Sequence, residues 1–145
     1  MTFIASLMGT VLIALAALHA YWGFGGFWPG TDALSLSRIV GGFRKASRPS
    51  AAACFMVALA LGGAAMVAFA LGGISLALLP PQLLLPASIV LTFVFLGRGA
   101  AGYTAAWRRI TPMQPFARLD RQCYSPLCLA VGVGFLVLIV AGLAT

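Results

Sequence analysis

The sequence predicts an all-α fold: a polytopic transmembrane four-helix bundle with both termini on the outer, non-cytoplasmic side. Three observations carry that prediction. The chain is 62% apolar and only 8% charged, with a mean hydropathy of +1.07, far from the balance of a soluble domain. Four apolar segments are each long enough to cross a hydrocarbon core, which takes roughly 20 residues. Apart from Arg98, the lysines and arginines lie in two alternate connections, which the positive-inside bias places in the cytoplasm, in agreement with an even number of spans.

The first span is expected at about 3–22. It carries no positive n-region, its apolar stretch is as long as a full span, and Leu18-His19-Ala20 is a poor cleavage site, so it reads as a helix rather than a secretory signal. Trp22-Gly23-Phe24-Gly25-Gly26-Phe27-Trp28-Pro29-Gly30 follows. Tyr21, Trp22 and Trp28 suit an interfacial aromatic belt, while the glycines permit sharp turns and a lid over the cytoplasmic mouth. They do not form a phosphate-cradling loop, which needs a lysine and a preceding strand.

The second span is expected at about 51–74, the third at about 83–107 and the fourth at about 125–144. Small residues that let helices approach recur at four-residue spacing: Ala60, Ala64, Ala68 and Gly72 in the second, Gly97, Ala101 and Ala105 in the third, Ala130 and Gly134 in the fourth. Pro80-Pro81 marks an outer turn, so spans two and three form the obvious hairpin. Pro86 falls near the first turn of the third helix, where a missing amide costs little. Ser125 is the expected N-cap of the fourth helix, with Pro126 at its first position. The connections are too short to fold separately, so residues 1–145 read as one domain.

The net charge is +7, from nine Lys and Arg against two acids. Arg38, Arg44, Lys45 and Arg48 lie between spans one and two, and Arg108, Arg109, Arg118 and Arg121 between spans three and four. These loops are therefore placed in the cytoplasm, against anionic headgroups of a bacterial inner membrane. No basic-aromatic pattern points to nucleic acid. Cys54, Cys123 and Cys128 are odd in number and form no CxxC, so free thiols are expected.

Arg98 is the residue most in need of a reason, because a charge within a span is costly. Small residues from Gly97 to Gly102 surround it, favouring an internal partner over snorkelling; Asp120, Tyr124, Ser125 or a ligand anion can supply it. Asp120, flanked by Arg118 and Arg121, suits an anchor and ion-pair role before the fourth helix more than acid–base catalysis. His19 has no Cys, Asp or Glu at ligand spacing, so no metal is expected and hydrogen bonding within the bundle is its better reading. No cofactor is evident.

Two strings, Arg98-Gly99-Ala100-Ala101-Gly102 and Phe116-Ala117-Arg118-Leu119-Asp120 followed by Tyr124-Ser125-Pro126-Leu127-Cys128, resemble DUF3995, a bacterial family of small four-span membrane proteins. His19, Tyr21-Trp22 and Gly25-Gly26 are similar to its aromatic-glycine N-terminal signature. The family pattern carries an acid just after the position matching Gly102, where this chain has Tyr103. The resemblance covers nearly the whole chain and implies topology and motif positions; the family brings no established activity.

The leading functional expectation is a site at the cytoplasmic mouth that binds a lipid-like or anionic small molecule, with enzymatic turnover left open. Its candidate residues are His19, Tyr21, Trp22, Trp28, Arg98, Asp120, Arg121, Tyr124 and Ser125. The alternatives are a small-solute transporter or channel, or an accessory subunit whose small-residue faces receive a second copy or a partner's helix. The expected spans contain no Asp or Glu, which argues against a proton-coupled cation exporter.

Overall fold

The computed structural model describes residues 1–42, 49–74 and 80–143, and these are mostly helical with no strand among them. Arg44, Lys45 and Arg48 of the first basic connection lie outside the described residues. Four helices are long and apolar enough to cross a membrane: α1 (Thr2–Gly23), α3 (Ala51–Leu71), α4 (Pro81–Ala101) and the run Phe116–Leu143. The chain is a multi-pass membrane protein. Only 17% of the most hydropathic window of α4 is buried within the protein, and Val90, Phe93 and Val94 face outward. Such a surface is stable against acyl chains and not against water.

A short helix not anticipated from the sequence, α2 (Ala33–Val40), lies between the first two spans. Asp32 starts it: Oδ1 accepts from the amides of Leu34 and Ser35, both at 2.8 Å, and the Asp32 amide donates to Ser35 Oγ at 3.0 Å. This reciprocal arrangement satisfies the donors that a helix start leaves free. The Ser35 amide is the main influence holding the Asp32 carboxyl below its ordinary value. Leu36 fastens the helix to Trp22 and Cys54.

The third span differs from expectation at its ends. Helix α4 starts at Pro81 and stops at Ala101 rather than running to Trp107. Thr104 explains the stop, because its hydroxyl donates to the Ala101 carbonyl at 2.7 Å and accepts from the Trp107 amide at 3.2 Å. One side chain thus closes α4 and caps the next short helix, α5 (Ala105–Ile110). Arg98 consequently sits in the last turn of α4, not deep within a longer span. With the helix beginning two residues earlier than expected, Pro86 also lies inside it rather than in its first turn.

The fourth span also begins early. Helix α6 (Phe116–Leu119) continues through a π-helical turn (Asp120–Tyr124) into α7 (Ser125–Leu143). Ser125 is therefore an interior helical residue, with φ −67° and ψ −46°, and not an N-cap. Its amide donates to the Asp120 carbonyl five residues back. Pro126 supplies the reason, since its ring collides with the carbonyl four residues earlier in a regular α-helix and it has no N–H to give. Widening the preceding turn relieves the clash.

The spans pack as two consecutive pairs, α1 with α3 and α4 with α7, each along its length. Spans two and three, the expected hairpin, touch far less. Glycines set the close approaches: a methyl at Gly9 would overlap the Phe69 ring, one at Gly99 would strike Leu129, and one at Gly132 would strike Leu96. The small-residue stripes are thus partly displaced from those expected. Ala64 and Ala68 are buried, but Ala60 is exposed and Gly97 faces open space. The two pairs meet in a core of Met8, Leu12, Ala65, Val131 and Phe135, where Phe135 stacks on Phe95 at 6.1 Å.

At the basic end the connections interlock. The Met113 amide donates to the Gly42 carbonyl at 3.2 Å, and the Tyr124 hydroxyl donates to the Ile39 carbonyl at 3.3 Å. Phe116 covers Gly42, whose φ of +66° and lack of a side chain allow the ring to sit directly on the backbone.

Candidate functional site

The end of α4 and the π turn build a buried polar cluster around Asp120, which is only 2% exposed. Arg98 Nη2 donates to Asp120 Oδ1 at 2.5 Å. Trp107 Nε1 donates to Oδ2 at 2.9 Å, and the Arg98 guanidinium carbon lies 4.8 Å from the Trp107 ring centroid. The indole thus serves twice, as hydrogen-bond donor to the acid and as a cation–π face for the arginine. Both carboxylate oxygens are occupied, which makes Asp120 a structural anchor of this junction.

Gly102 makes the cluster possible. A side chain there would overlap the Ser125 hydroxyl and crowd Asp120 Oδ2. Ser125 is fully buried, and its hydroxyl and Arg98 Nη1 lack a hydrogen-bond partner among the described residues.

The remaining candidates divide by location. His19 Nδ1 donates to the Leu15 carbonyl at 2.8 Å, and its ring meets Trp22 edge-on at 4.8 Å. A carbonyl only accepts, so the ring proton sits on Nδ1. Trp22 is buried and donates from Nε1 to the Trp28 carbonyl at 2.7 Å. The Gly26 amide closes onto Tyr21, against whose ring this glycine is pressed, and Phe24 packs edge-on against Phe55. These contacts fix the aromatic-glycine segment over the end of the α1–α3 pair, whereas Arg98 and Asp120 belong to the α4–α7 pair. Tyr124 stands between the two groups, through its bond to α2. Among the described residues no three His, Cys, Asp or Glu side chains gather.

Arg121 faces a different surface from its neighbour Asp120. With Arg108 and Arg118 it lines an open cleft of about 700 Å³, together with Tyr103, Pro112, Gln114, Ala117 and Gln122. The Tyr103 hydroxyl donates to the Arg121 carbonyl at 3.2 Å. That carbonyl is one that Pro126 has no N–H to serve, so Tyr103 replaces a backbone donor and ties one wall of the cleft to the π turn.

Trp107, Arg108, Gln114 and Arg118 are not among the site residues that the sequence pattern singles out. The signal for Trp107 is Thr104, a helix-start residue three positions before it, which turns the chain back toward Asp120. For the cleft it is the density of arginine around Pro112 and Pro115 in a connection too short to spread them apart.

Residues 12–135 match a protein-family model described as Protein of unknown function (DUF3995). The chain belongs to the DUF3995 family. Neither a curated protein nor a solved structure matches it. The matched region of this DUF3995 protein takes in the His19–Trp22 cluster, the Arg98–Asp120 pair and the arginine-lined cleft.

Proposed function

We propose that this DUF3995 protein is a bacterial inner-membrane protein that binds an anionic, lipid-like ligand at its cytoplasmic end, in the cleft lined by Arg108, Arg118 and Arg121. In this reading both termini face outward. The observation that carries it is one of charge. The chain has two acids; Asp120 is held by Arg98 and Trp107, and Asp32 caps α2. The three guanidiniums share one cleft with no acid in its lining, and their countercharge has to come from outside the chain. The cleft lies where α4 ends and the fourth span begins, the depth of lipid headgroups.

In this assignment Arg121 contacts the ligand, while Arg98, Asp120, Trp107 and Ser125 form the frame behind it. Native mass spectrometry of gently extracted protein tests the reading. Wild type is expected to retain an anionic lipid that the Arg118→Gln/Arg121→Gln variant loses. Equal retention by both overturns the assignment.

A further inference from the structure

We infer that the cleft is matched to a terminal diphosphate carried on a membrane lipid, in preference to the single-charge phosphodiester of an ordinary phospholipid. The inference rests on the reading of the cleft as an anion site and narrows its ligand.

Charge is the first argument. A phosphodiester headgroup brings one negative charge at its phosphate, which leaves two of the three arginines uncompensated. A terminal diphosphate brings two or three, spread over several non-bridging oxygens, and pairs with all three.

Geometry is the second. Each guanidinium presents a planar fork that takes two oxygens of one phosphoryl group. Arg118 and Arg121 stand three residues apart on the continuous run from α6 into the π turn, and Arg108 comes from α5, so the forks converge from two helical elements. Gln114 and Gln122 add uncharged amide donors on the same lining. A cleft of about 700 Å³ has room for two phosphoryl groups.

Access is the third. Tyr103 in the lining is 44% exposed, and Leu127, just past the π turn, is 37% exposed on the outward side of α7. The open cleft, with an exposed aromatic ring in its lining, leaves a way out for an apolar tail. The frame also resists collapse toward the anion, because Asp120 on the inner side of the π turn is anchored to Arg98 while Arg121 on its outer side remains free of ion pairs among the described residues.

The test uses the full chain in nanodiscs of phosphatidylcholine, with binding read by thermal stabilisation and by competition. The probes are farnesyl diphosphate, inorganic pyrophosphate and phosphatidylglycerol. Farnesyl diphosphate is expected to bind at least about tenfold more tightly than phosphatidylglycerol, and Arg118→Gln or Arg121→Gln each to weaken it about tenfold. Arg109→Gln, outside the cleft lining, is expected to change nothing. Arg121→Lys keeps the charge without the fork, so an intermediate affinity supports the geometry and guards against a glutamine variant that fails to fold. Pyrophosphate binding as tightly as farnesyl diphosphate overturns the lipid-borne source. Phosphatidylglycerol binding as tightly as farnesyl diphosphate overturns the diphosphate preference while leaving the anion site standing. Binding of none of the three overturns both.

Discussion

At the scale of single residues, the Arg98–Asp120–Trp107 cluster decides how the α4–α7 pair is closed. Taking two charges out of water is costly, and their attraction offsets that cost only when the remaining donors and acceptors are also satisfied. Here the indole completes the carboxylate, while Arg98 Nη1 has no hydrogen-bond partner among the described residues. Removing one partner from a fully buried pair costs about 3–5 kcal/mol, whereas replacing both by apolar residues is often nearly neutral; the Arg98 side chain is 31% exposed, so solvent screening brings the cost here below that range. Asp120→Ala is therefore expected to lower the melting temperature in detergent or nanodiscs. The Arg98→Met/Asp120→Leu double variant should recover most of the loss. A double variant less stable than Asp120→Ala would show that the charges are not coupled as described. The need for an internal partner was legible in the sequence, because a charged residue among small ones within an apolar run has few other solutions, and Asp120 was among the partners named. Trp107 was hidden because its approach depends on where α4 ends. Hydropathy carries no information about that end, which Thr104 sets through two hydrogen bonds.

At the scale of elements, the π turn is a local answer to Pro126. The wider turn turns Asp120 inward and leaves Arg121 outward, so two adjacent residues serve two surfaces. Tyr103 meets the carbonyl of Arg121, and its hydrogen bond should contribute about 1 kcal/mol, typical of a neutral pair. Tyr103→Phe is expected to cost that amount in the wild-type background. It should cost much less in Pro126→Ala, where a restored N–H allows the turn to tighten and serve its own carbonyls. Unfolding measurements on the four proteins of the cycle check this, and strictly additive costs would separate Tyr103 from the proline. The existence of the four spans was plain from apolar length alone. Their ends were not: the third span proved shorter than its apolar run, because Thr104 ends it by hydrogen-bond exchange, and the fourth longer, because its helix starts after Pro115 and carries the polar residues of the π turn into the apolar run. Helix α2 went unseen for a related reason, since eight residues leave little periodicity and only the spacing of Asp32 and Ser35 marked its start.

At the scale of the whole molecule, both basic connections meet at one end, joined by the Met113–Gly42 and Tyr124–Ile39 bonds. In the proposed topology that end faces the cytoplasm. Cys123 is exposed there, while Cys54 is buried. A membrane-impermeant maleimide is expected to label Cys123 in inverted vesicles and not in right-side-out ones; the opposite pattern would reverse the topology. The meeting of the two connections that carry Arg38 and Arg108 to Arg121 was legible from the positions of these described cations in the chain. The pairing of spans was not, because every span carries small residues on more than one face, and a stripe at four-residue spacing does not say which face meets a neighbour. Gly99 and Gly132 meet theirs, while Gly97 does not.

That pairing also bears on how the chain is made. Each span packs chiefly on the one beside it in the same half of the sequence, so the first half can complete its main interface in the bilayer while the ribosome is still translating the second. Two polypeptides divided between Ile74 and Pro80 would each hold a finished antiparallel pair and need only find one another laterally, guided by the core around Phe135 and by the bonds that join the basic connections.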